Sequence, residues 1–188
     1  MLSYRHGYHA GNAADVLKHF ILTYVLDYIK KKDKSFIFID SHAGAGKYLI
    51  SDPYMQKNKE YLQGIKKILQ LKNENIFLKK YLDLIKSINF NSDLKIYPGS
   101  CYLAARSLRP NDNLHFFELH PTEFLNLKKN FKSDSRIIIE NEDSYQKLSK
   151  LLPPKEKRAV ILIDPSYELK DEYAQVFKML SDCYKKFP

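Results

Sequence analysis

Cysteine is scarce in this chain of 188 residues, with only Cys101 and Cys183 present, far apart in the sequence. A disulfide framework or a thiolate metal site needs clustered cysteines, so the sequence predicts neither. Long apolar runs are missing too, because no apolar segment approaches the ~20 residues that a membrane span requires. Residues 1–14 lack the charged start, apolar run and cleavage site of a secretory signal. We therefore expect a soluble cytoplasmic protein with no membrane partner and no bound metal.

The composition is basic and has enough apolar residues for a core. Lys and Arg number 31 against 22 Asp and Glu, which gives a formal charge of +9, and 44% of the residues are hydrophobic. This length and apolar content predict one globular domain. The positive charge favours a polyanionic partner, most commonly nucleic acid, although a solvated basic surface explains it equally well.

Short apolar segments alternate with helical patterns along the chain. A parallel strand covered on both faces needs no polar alternation, so continuous apolar runs are typical of such strands. Strands that alternate with helices predict an α/β fold with a parallel sheet and right-handed crossovers. The predicted strands are 36–40, 114–118, 136–140 and 159–163, and the helices that follow the last three are 121–131, 144–152 and 171–186.

The first helix and a later helical segment complete the secondary-structure prediction. Asn12 is placed to cap a helix over residues 13–32. Two segments with helical spacing predict a helical insertion over residues 52–93, after the first strand. Residues 97–100 predict a turn, with Ser100 placed to cap a helix that reaches residue 108. The expected apolar stripe of the first helix consists of Leu17, Phe20, Ile21, Tyr24, Val25 and Tyr28.

A glycine-containing loop follows the first predicted strand, where ligands bind in open α/β sheets. The segment runs Asp40-Ser41-His42-Ala43-Gly44-Ala45-Gly46-Lys47. It lacks the earlier glycine and the Ser or Thr after the lysine that a phosphate-binding P-loop needs. Leu49 stands at the third glycine position of the dinucleotide fingerprint, which excludes that motif as well.

Acidic residues close or follow three predicted strands. Asp40 lies near the glycine loop around Gly44 and suits an ammonium group, while Glu118 ends the next strand and suits ribose hydroxyls. Asp143 follows the third strand and suits the amino edge of an adenine. A ligand with adenine, ribose and an amino-acid end is S-adenosylmethionine. Each acid alone could be a helix cap, Asp143 especially, so the prediction depends on their joint placement.

The fourth strand ends in Asp164-Pro165-Ser166-Tyr167, which suits chemistry on an aromatic amine. The adenine 6-amino group is a poor nucleophile because its lone pair is delocalised into the ring. Hydrogen bonds from both amine hydrogens to the Asp164 carboxylate and the Pro165 carbonyl favour a pyramidal nitrogen. Tyr167 offers a face on which a flipped base can stack. Methyl transfer is then mainly a matter of orientation.

These motifs make the chain similar to a known family along essentially its whole length. The sequence resembles the RlmJ family of bacterial 23S ribosomal RNA adenine-N6 methyltransferases. The resemblance rests on Met1-Leu2-Ser3-Tyr4-Arg5-His6, His9-Ala10-Gly11-Asn12, Ala14-Asp15-Val16-Leu17-Lys18-His19, the glycine loop, Tyr97-Pro98-Gly99-Ser100, Glu118-Leu119-His120-Pro121 and Leu162-Ile163-Asp164-Pro165-Ser166-Tyr167-Glu168.

The resemblance implies a Rossmann-like class I methyltransferase fold, S-adenosylmethionine as cofactor and Asp164 as the catalytic residue. It implies Tyr4 as a contact of the RNA, with His6 and Lys18 nearby, and a monomer that acts on free or early-assembly 23S ribosomal RNA. The implied cofactor pocket includes His19, His42, Ser100, Glu118, Asp143 and Asp164, and we place Lys18, Asp40, Gly44 and Ser144 with them.

Two departures from the family pattern affect these expectations. Ser166 replaces the usual second proline of the Asp-Pro-Pro-Tyr motif, so we expect activity with a less rigid loop. The sequence predicts four strands, whereas this methyltransferase fold has seven. We therefore expect that C-terminal strands are missing from the chain. Two other functions stay open: DNA adenine-N6 methylation, and non-enzymatic nucleic-acid binding linked to DNA uptake.

Overall fold

The computed structural model describes residues 5–71, 75–90 and 93–188. Short 3-10 helices cover His6–Tyr8, Glu60–Leu62 and Leu148–Leu151. The strands are β1 (Ile37–Asp40), β2 (Lys47–Leu49), β3 (Ile96–Pro98), β4 (Asn113–Phe117), β5 (Ile137–Glu140) and β6 (Ala159–Leu162). The α-helices are α1 (Ala13–Ile29), α2 (Pro53–Asn58), α3 (Ile65–Leu69), α4 (Ile76–Ile88), α5 (Ser100–Ser107), α6 (Pro121–Asn130), α7 (Ser144–Lys147) and α8 (Glu172–Lys186).

Two compact units divide the described chain. The sheet unit contains Lys34–Gly44 and Arg109–Pro188, and the helical unit contains Arg5–Asp33 and Ala45–Leu108. Because the helical unit includes α1 and α5, it extends beyond the residues 52–93 of the predicted insertion. Within the described part of that range lie α2, α3 and α4.

The sheet unit contains a parallel sheet with strand order β5-β4-β1-β6. Asp40 pairs in register with Phe116 on one side and Leu162 on the other, and Phe117 pairs with Glu140. The carboxyl ends of all four strands therefore meet at one edge of the sheet. The predicted α/β fold and the positions of its four strands are confirmed.

Alternating side chains of the sheet enter opposite layers of the core, as the two-residue period of a strand requires. The rings of Phe38 and Phe116 are fully buried and meet edge to face at 6.4 Å. Ile39 and Phe117 are buried in a second cluster. It also contains Leu148, from the 3-10 helix Leu148–Leu151, and Met179 from α8. Full burial of such side chains stabilises each by about 1.5–3 kcal/mol relative to exposure.

The helical unit contains a second, antiparallel pair of strands, β2 and β3. The sequence predicted a loop at residues 44–47 and a turn at 97–100, so it missed these strands. Strands of three residues are too short to give a periodic pattern, and the glycines and proline beside them indicate turns. The amide of Gly99 donates a 2.7 Å hydrogen bond to the Gly46 carbonyl, which holds the two segments together.

Helix α1 buries a different face from the predicted one. Leu17, Ile21 and Tyr28 of the expected apolar stripe are 59%, 49% and 63% exposed. The buried residues are Asp15, Val16, His19, Leu22 and Leu26. The prediction was wrong because it followed the apolar residues alone, whereas Asp15 is buried with His6 and Lys18 as partners and His19 is buried against Tyr97.

Most predicted helix starts are confirmed, with one exception. Asn12 caps α1 by accepting a hydrogen bond from the Asp15 amide at 2.9 Å. Pro121 opens α6 as predicted. Gly99, not Ser100, is the cap of α5, and Ser100 is its first helical residue, so the predicted cap was wrong by one position. In the described ranges, no helix combines the length and apolar character needed to cross a membrane.

Candidate active site

The loop after β1 needs glycine at two positions. Gly44 and Gly46 have φ angles of +60° and +84°, a region that residues with a Cβ adopt at a cost. Asp40, at the end of β1, is fully buried, and its Oδ1 accepts a 3.2 Å hydrogen bond from the His42 amide. The chain therefore turns sharply at the carboxyl edge of the sheet, with a buried carboxylate at the base of the turn.

Glu118 follows β4 and fixes this loop. Its Oε2 accepts a hydrogen bond from the Gly44 amide at 2.7 Å, and its Oε1 accepts one from the His120 amide at 2.7 Å. Burial raises the pKa of Glu118 to about 7 against the lowering effect of these two amides, and the charges of Glu123 and Asp40 raise it further. A carboxylate has about four acceptor positions, so Glu118 keeps capacity for ligand hydroxyls.

His42 is a neutral imidazole among carboxylates. Burial lowers its pKa to about 4, and the charges of Asp164 and then Asp143 act in the opposite direction. Its Nδ1 lies 2.7 Å from the Ser41 hydroxyl. The structure thus brings the acids that follow β5 and β6 close enough to His42 to act on its charge.

Asp143 and Ser144 form the start of α7. The Asp143 carboxylate accepts hydrogen bonds from the Tyr145 amide and the Gln146 side chain, each at 2.9 Å. The helix-cap role considered from the sequence is therefore present. Ser144 is buried directly after it. A carboxylate with two protein donors retains acceptor positions, so the cap does not exclude contact with an adenine amine.

The segment from Asp164 to Tyr167 lies directly beyond β6. Pro165 is buried, whereas Tyr167 is 41% exposed, and its ring lies 4.7 Å from the ring of Tyr173. Tyr167 has a φ angle of +54°, which is an outlier for a bulky residue with a Cβ. Such strain costs about 1–3 kcal/mol and occurs preferentially at functional sites. Lys59, Phe90 and Lys157 have similar φ angles outside this motif, so the conformation alone does not identify a functional residue.

In the helical unit, Asp15 connects the residues predicted to lie near the RNA. Its carboxylate lies 2.8 Å from His6 Nε2 and 2.7 Å from Lys18 Nζ, and it accepts a 2.9 Å hydrogen bond from the Gly11 amide. Burial alone would raise the pKa of Asp15, but His6, and then His19 and Lys18, hold it well below its usual value. The sequence prediction omitted Asp15, although its spacing to Lys18 is that of a helical ion pair.

His19 is fully buried and has one nitrogen without a partner among the described residues. Its Nδ1 lies 2.8 Å from the Tyr97 hydroxyl, while Nε2 has no hydrogen-bond partner there. Burial lowers the pKa of His19 to about 3, so its ring is neutral. A buried unpaired nitrogen is unfavourable without a ligand, which fits the predicted cofactor contact. Ser100 is also buried in this unit, and Tyr4 lies outside the described residues.

A further residue missed by the sequence prediction is Tyr145, beside Asp143. Its ring packs edge to face on His42 at 5.4 Å, and its hydroxyl is buried with no hydrogen-bond partner in the described part of the chain. Burial raises the pKa of Tyr145 to about 12. No sequence pattern distinguishes it from a core tyrosine, because only the tertiary structure places it against His42.

Known proteins similar to this chain support one family. A family model described as "Ribosomal RNA large subunit methyltransferase D, RlmJ" matches residues 33–188. The protein named ribosomal RNA large subunit methyltransferase J in Escherichia coli K12 is 42% identical over 187 residues. Its namesake in Haemophilus influenzae is 40% identical over 188 residues. The alignments cover 100% of this chain and 67% of each relative.

The chain belongs to the RlmJ family. The crystal structure of protein LPL1258 from Legionella pneumophila has a TM-score of 0.87 to this chain and 43% sequence identity, covering 95% of this chain and 66% of that one. The chain thus spans about two thirds of the length of these relatives. The predicted RlmJ resemblance and the Rossmann-like methyltransferase fold are confirmed.

Proposed function

We propose that this RlmJ-family chain transfers a methyl group from S-adenosylmethionine to the 6-amino nitrogen of an adenine in 23S ribosomal RNA. The observation that carries the proposal is the Asp164-Pro165-Ser166-Tyr167 segment, which follows β6, the strand next to the one that leads into the Gly44 loop. This segment presents a carboxylate, a backbone carbonyl and an exposed aromatic ring within four residues.

The charges at the carboxyl edge of the sheet fit S-adenosylmethionine, whose sulfonium supplies the methyl group. Asp40, Asp143 and Asp164 are acidic, and the His42 ring among them is neutral because burial lowers its pKa to about 4. Carboxylates grouped around a neutral ring favour a ligand with positive sulfonium and ammonium groups. Glu118 would accept from the ribose hydroxyls and Asp143 from the adenine amine. His19, Lys18 and Ser100 of the helical unit stay predicted contacts of the cofactor.

Asp164 and Pro165 prepare the nucleophile in this proposal. The Asp164 carboxylate accepts a hydrogen bond from one amine hydrogen of the target adenine, and the Pro165 carbonyl accepts one from the other. Two acceptors on opposite hydrogens favour a pyramidal nitrogen with a localised lone pair. Pro165 is buried and its ring fixes φ, which restricts the backbone of this segment before the base arrives.

Tyr167 holds the base. An adenine paired in a helix does not expose its amine to an active site, so the base must leave the stack. The partly exposed Tyr167 ring gives it a new stacking face. The protein would then contribute mainly orientation, by aligning the amine nitrogen with the methyl group that bound S-adenosylmethionine would supply. We propose free or early-assembly RNA as the substrate and a monomer as the active form.

A competition experiment tests this function against DNA methylation. Full-length protein with isotopically labelled S-adenosylmethionine is given equal amounts of free 23S ribosomal RNA and adenine-containing duplex DNA. We expect the label as N6-methyladenine in the RNA alone. Label found predominantly in the DNA would support the alternative, and label on another base would contradict the assigned roles of Asp164 and Pro165.

A further inference from the structure

The positive charge of the chain is concentrated in the helical unit. Residues 5–33 and 45–108 contain 16 Lys and Arg against 8 Asp and Glu, a formal charge of +8. The rest of the chain contains 15 against 14, a formal charge of +1. A polyanion is therefore attracted to the helical unit far more strongly than to the sheet unit.

Within the helical unit, α1 and α4 share a surface that combines aromatic rings with lysines. We call it the α1–α4 face, and it consists of Tyr24, Tyr28, Lys31, Phe77 and Lys80. Tyr24 and Phe77 meet edge to face at 4.7 Å, although they are 45% and 40% exposed. Lys80 Nζ lies 2.7 Å from Asp27 across the two helices, which ties α4 to α1.

The aromatic side chains of this face are exposed where burial would be favourable. Tyr28 is 63% exposed, and the Lys31 ammonium lies 5.3 Å from the centre of its ring. The neighbouring Leu17 and Ile21 of α1 are exposed as well. Contiguous exposed apolar groups of this kind mark interaction surfaces. The interspersed lysines and the unit's charge of +8 favour a polyanion over an apolar protein surface.

The chemistry of the face distinguishes between forms of nucleic acid. Aromatic rings on a basic surface bind single strands, because unpaired bases stack on the rings while lysines contact the phosphates. In an A-form duplex the bases stack on one another, so no base face is available for stacking on these rings. The combination of Tyr24, Tyr28 and Phe77 with Lys31 and Lys80 therefore matches unpaired RNA.

We propose that the α1–α4 face binds an unpaired segment of the substrate RNA. The bases stack on Tyr28 and on the Tyr24–Phe77 pair, and the backbone phosphates contact Lys31 and Lys80. This inference rests on the proposed RNA methyltransferase function. It adds a docking surface on α1 and α4 of the helical unit, whereas the Asp164 segment follows β6 in the sheet unit.

Matched variants in the two units test the proposal. Lys80→Glu removes an exposed lysine that pairs with a carboxylate at 2.7 Å, and Lys178→Glu on α8 removes an equivalent lysine paired with Asp182 at 2.7 Å. Tyr28→Ala is matched by Tyr184→Ala, since these tyrosines are 63% and 71% exposed. Each control makes the same chemical change on a surface of the weakly charged unit.

The measurement is binding of a fluorescently labelled, unstructured single-stranded RNA by full-length protein over a range of salt concentrations. We expect Lys80→Glu to reduce the slope of log affinity against log salt by about 0.7 or more. We expect Tyr28→Ala to weaken binding roughly tenfold with little change in slope. The two controls should bind like wild type, and duplex RNA should bind more weakly than the single strand.

Several results would overturn the proposal. Wild-type affinity in Lys80→Glu and Tyr28→Ala, equal losses in the controls, or equal affinity for duplex and single strand would each exclude a single-strand site on this face. Sedimentation that shows a dimer lost in Tyr28→Ala would assign the face to a second copy of the chain. Methyl transfer to adenine is assayed in parallel, so its failure beside intact RNA binding would contradict the proposed function alone.

Discussion

The carboxylate of Glu118 accepts a hydrogen bond from the Gly44 amide at 2.7 Å, which joins the end of β4 to the loop after β1. Gly44 has a positive φ of +60°, so the loop geometry and the carboxylate position depend on each other. Burial raises the pKa of Glu118 to about 7. A buried acid near neutrality at the proposed ribose contact makes ligand binding sensitive to pH.

We predict that the affinity for S-adenosylmethionine rises as the pH increases from 6 to 8. Ribose hydroxyls donate to the ionised form of Glu118, so binding favours the carboxylate and releases a proton where that group is partly protonated. Calorimetry in buffers of different ionisation enthalpy measures this release. Glu118→Gln should bind more weakly and lose the pH dependence. An affinity in wild type that stays constant over this range would contradict the role of Glu118.

Buried His19 gives a prediction about acid stability. Its folded pKa of about 3 lies below the ordinary value of 6.5, so between these values the unfolded chain binds the proton more readily. Its contribution to stability is therefore lost as the pH falls from 6.5 towards 3. At pH 4.5 this loss is about 2–3 kcal/mol relative to pH 7. Urea unfolding at both pH values should show a smaller loss for His19→Asn, and equal losses would refute the assignment.

Asp164→Ala should abolish methyl transfer and leave the fold intact. Without the carboxylate, the amine loses one of the two acceptors that orient it, and we expect a rate reduction of roughly 10³-fold or more. Single-turnover transfer to 23S ribosomal RNA measures the effect, with circular dichroism as the check on folding. Asp171→Ala, which removes an exposed carboxylate seven residues later, is the matched control. Retained turnover in Asp164→Ala would disprove its catalytic role.

Substitutions at Tyr167 separate its ring from its hydroxyl. Tyr167→Phe keeps the stacking face and should transfer at nearly the wild-type rate. Tyr167→Ala loses base stacking, which is worth about 1–3 kcal/mol, so kcat/KM should fall by roughly 10- to 100-fold. Because the side chain is 41% exposed, the free energy of unfolding should change little. If the Phe and Ala variants were equally active, stacking on Tyr167 would be excluded.

The four strands of the parallel sheet were predictable because buried parallel strands are continuous apolar runs. The clustering of the acids was predictable as well, because parallel strands in one sheet have their carboxyl ends at the same edge. The buried face of α1 was not predictable, because apolar residues lie on its exposed side while Asp15 is buried beside His6 and Lys18, and His19 is buried against a residue far along the chain. His19 meets Tyr97, 78 residues away, and no local pattern records such a contact.

The shortest elements and the backbone conformations were also beyond sequence reasoning. β2 and β3 form because they pair with each other. Their own residues are typical of a loop and a turn. The positive φ of Tyr167 follows from tertiary packing, since a tyrosine does not favour that conformation by itself. Ser166 in place of the usual second proline was visible in the sequence, and its effect on the loop stays a prediction.

Nucleoside mass spectrometry of ribosomal RNA from a strain that lacks this protein tests the central claim most directly. We predict that one N6-methyladenine of 23S ribosomal RNA is missing, and that it returns when the full-length gene is restored but not when Asp164→Ala is supplied. An unchanged methylation profile in the deletion strain would contradict the assignment of this chain as a 23S ribosomal RNA adenine-N6 methyltransferase.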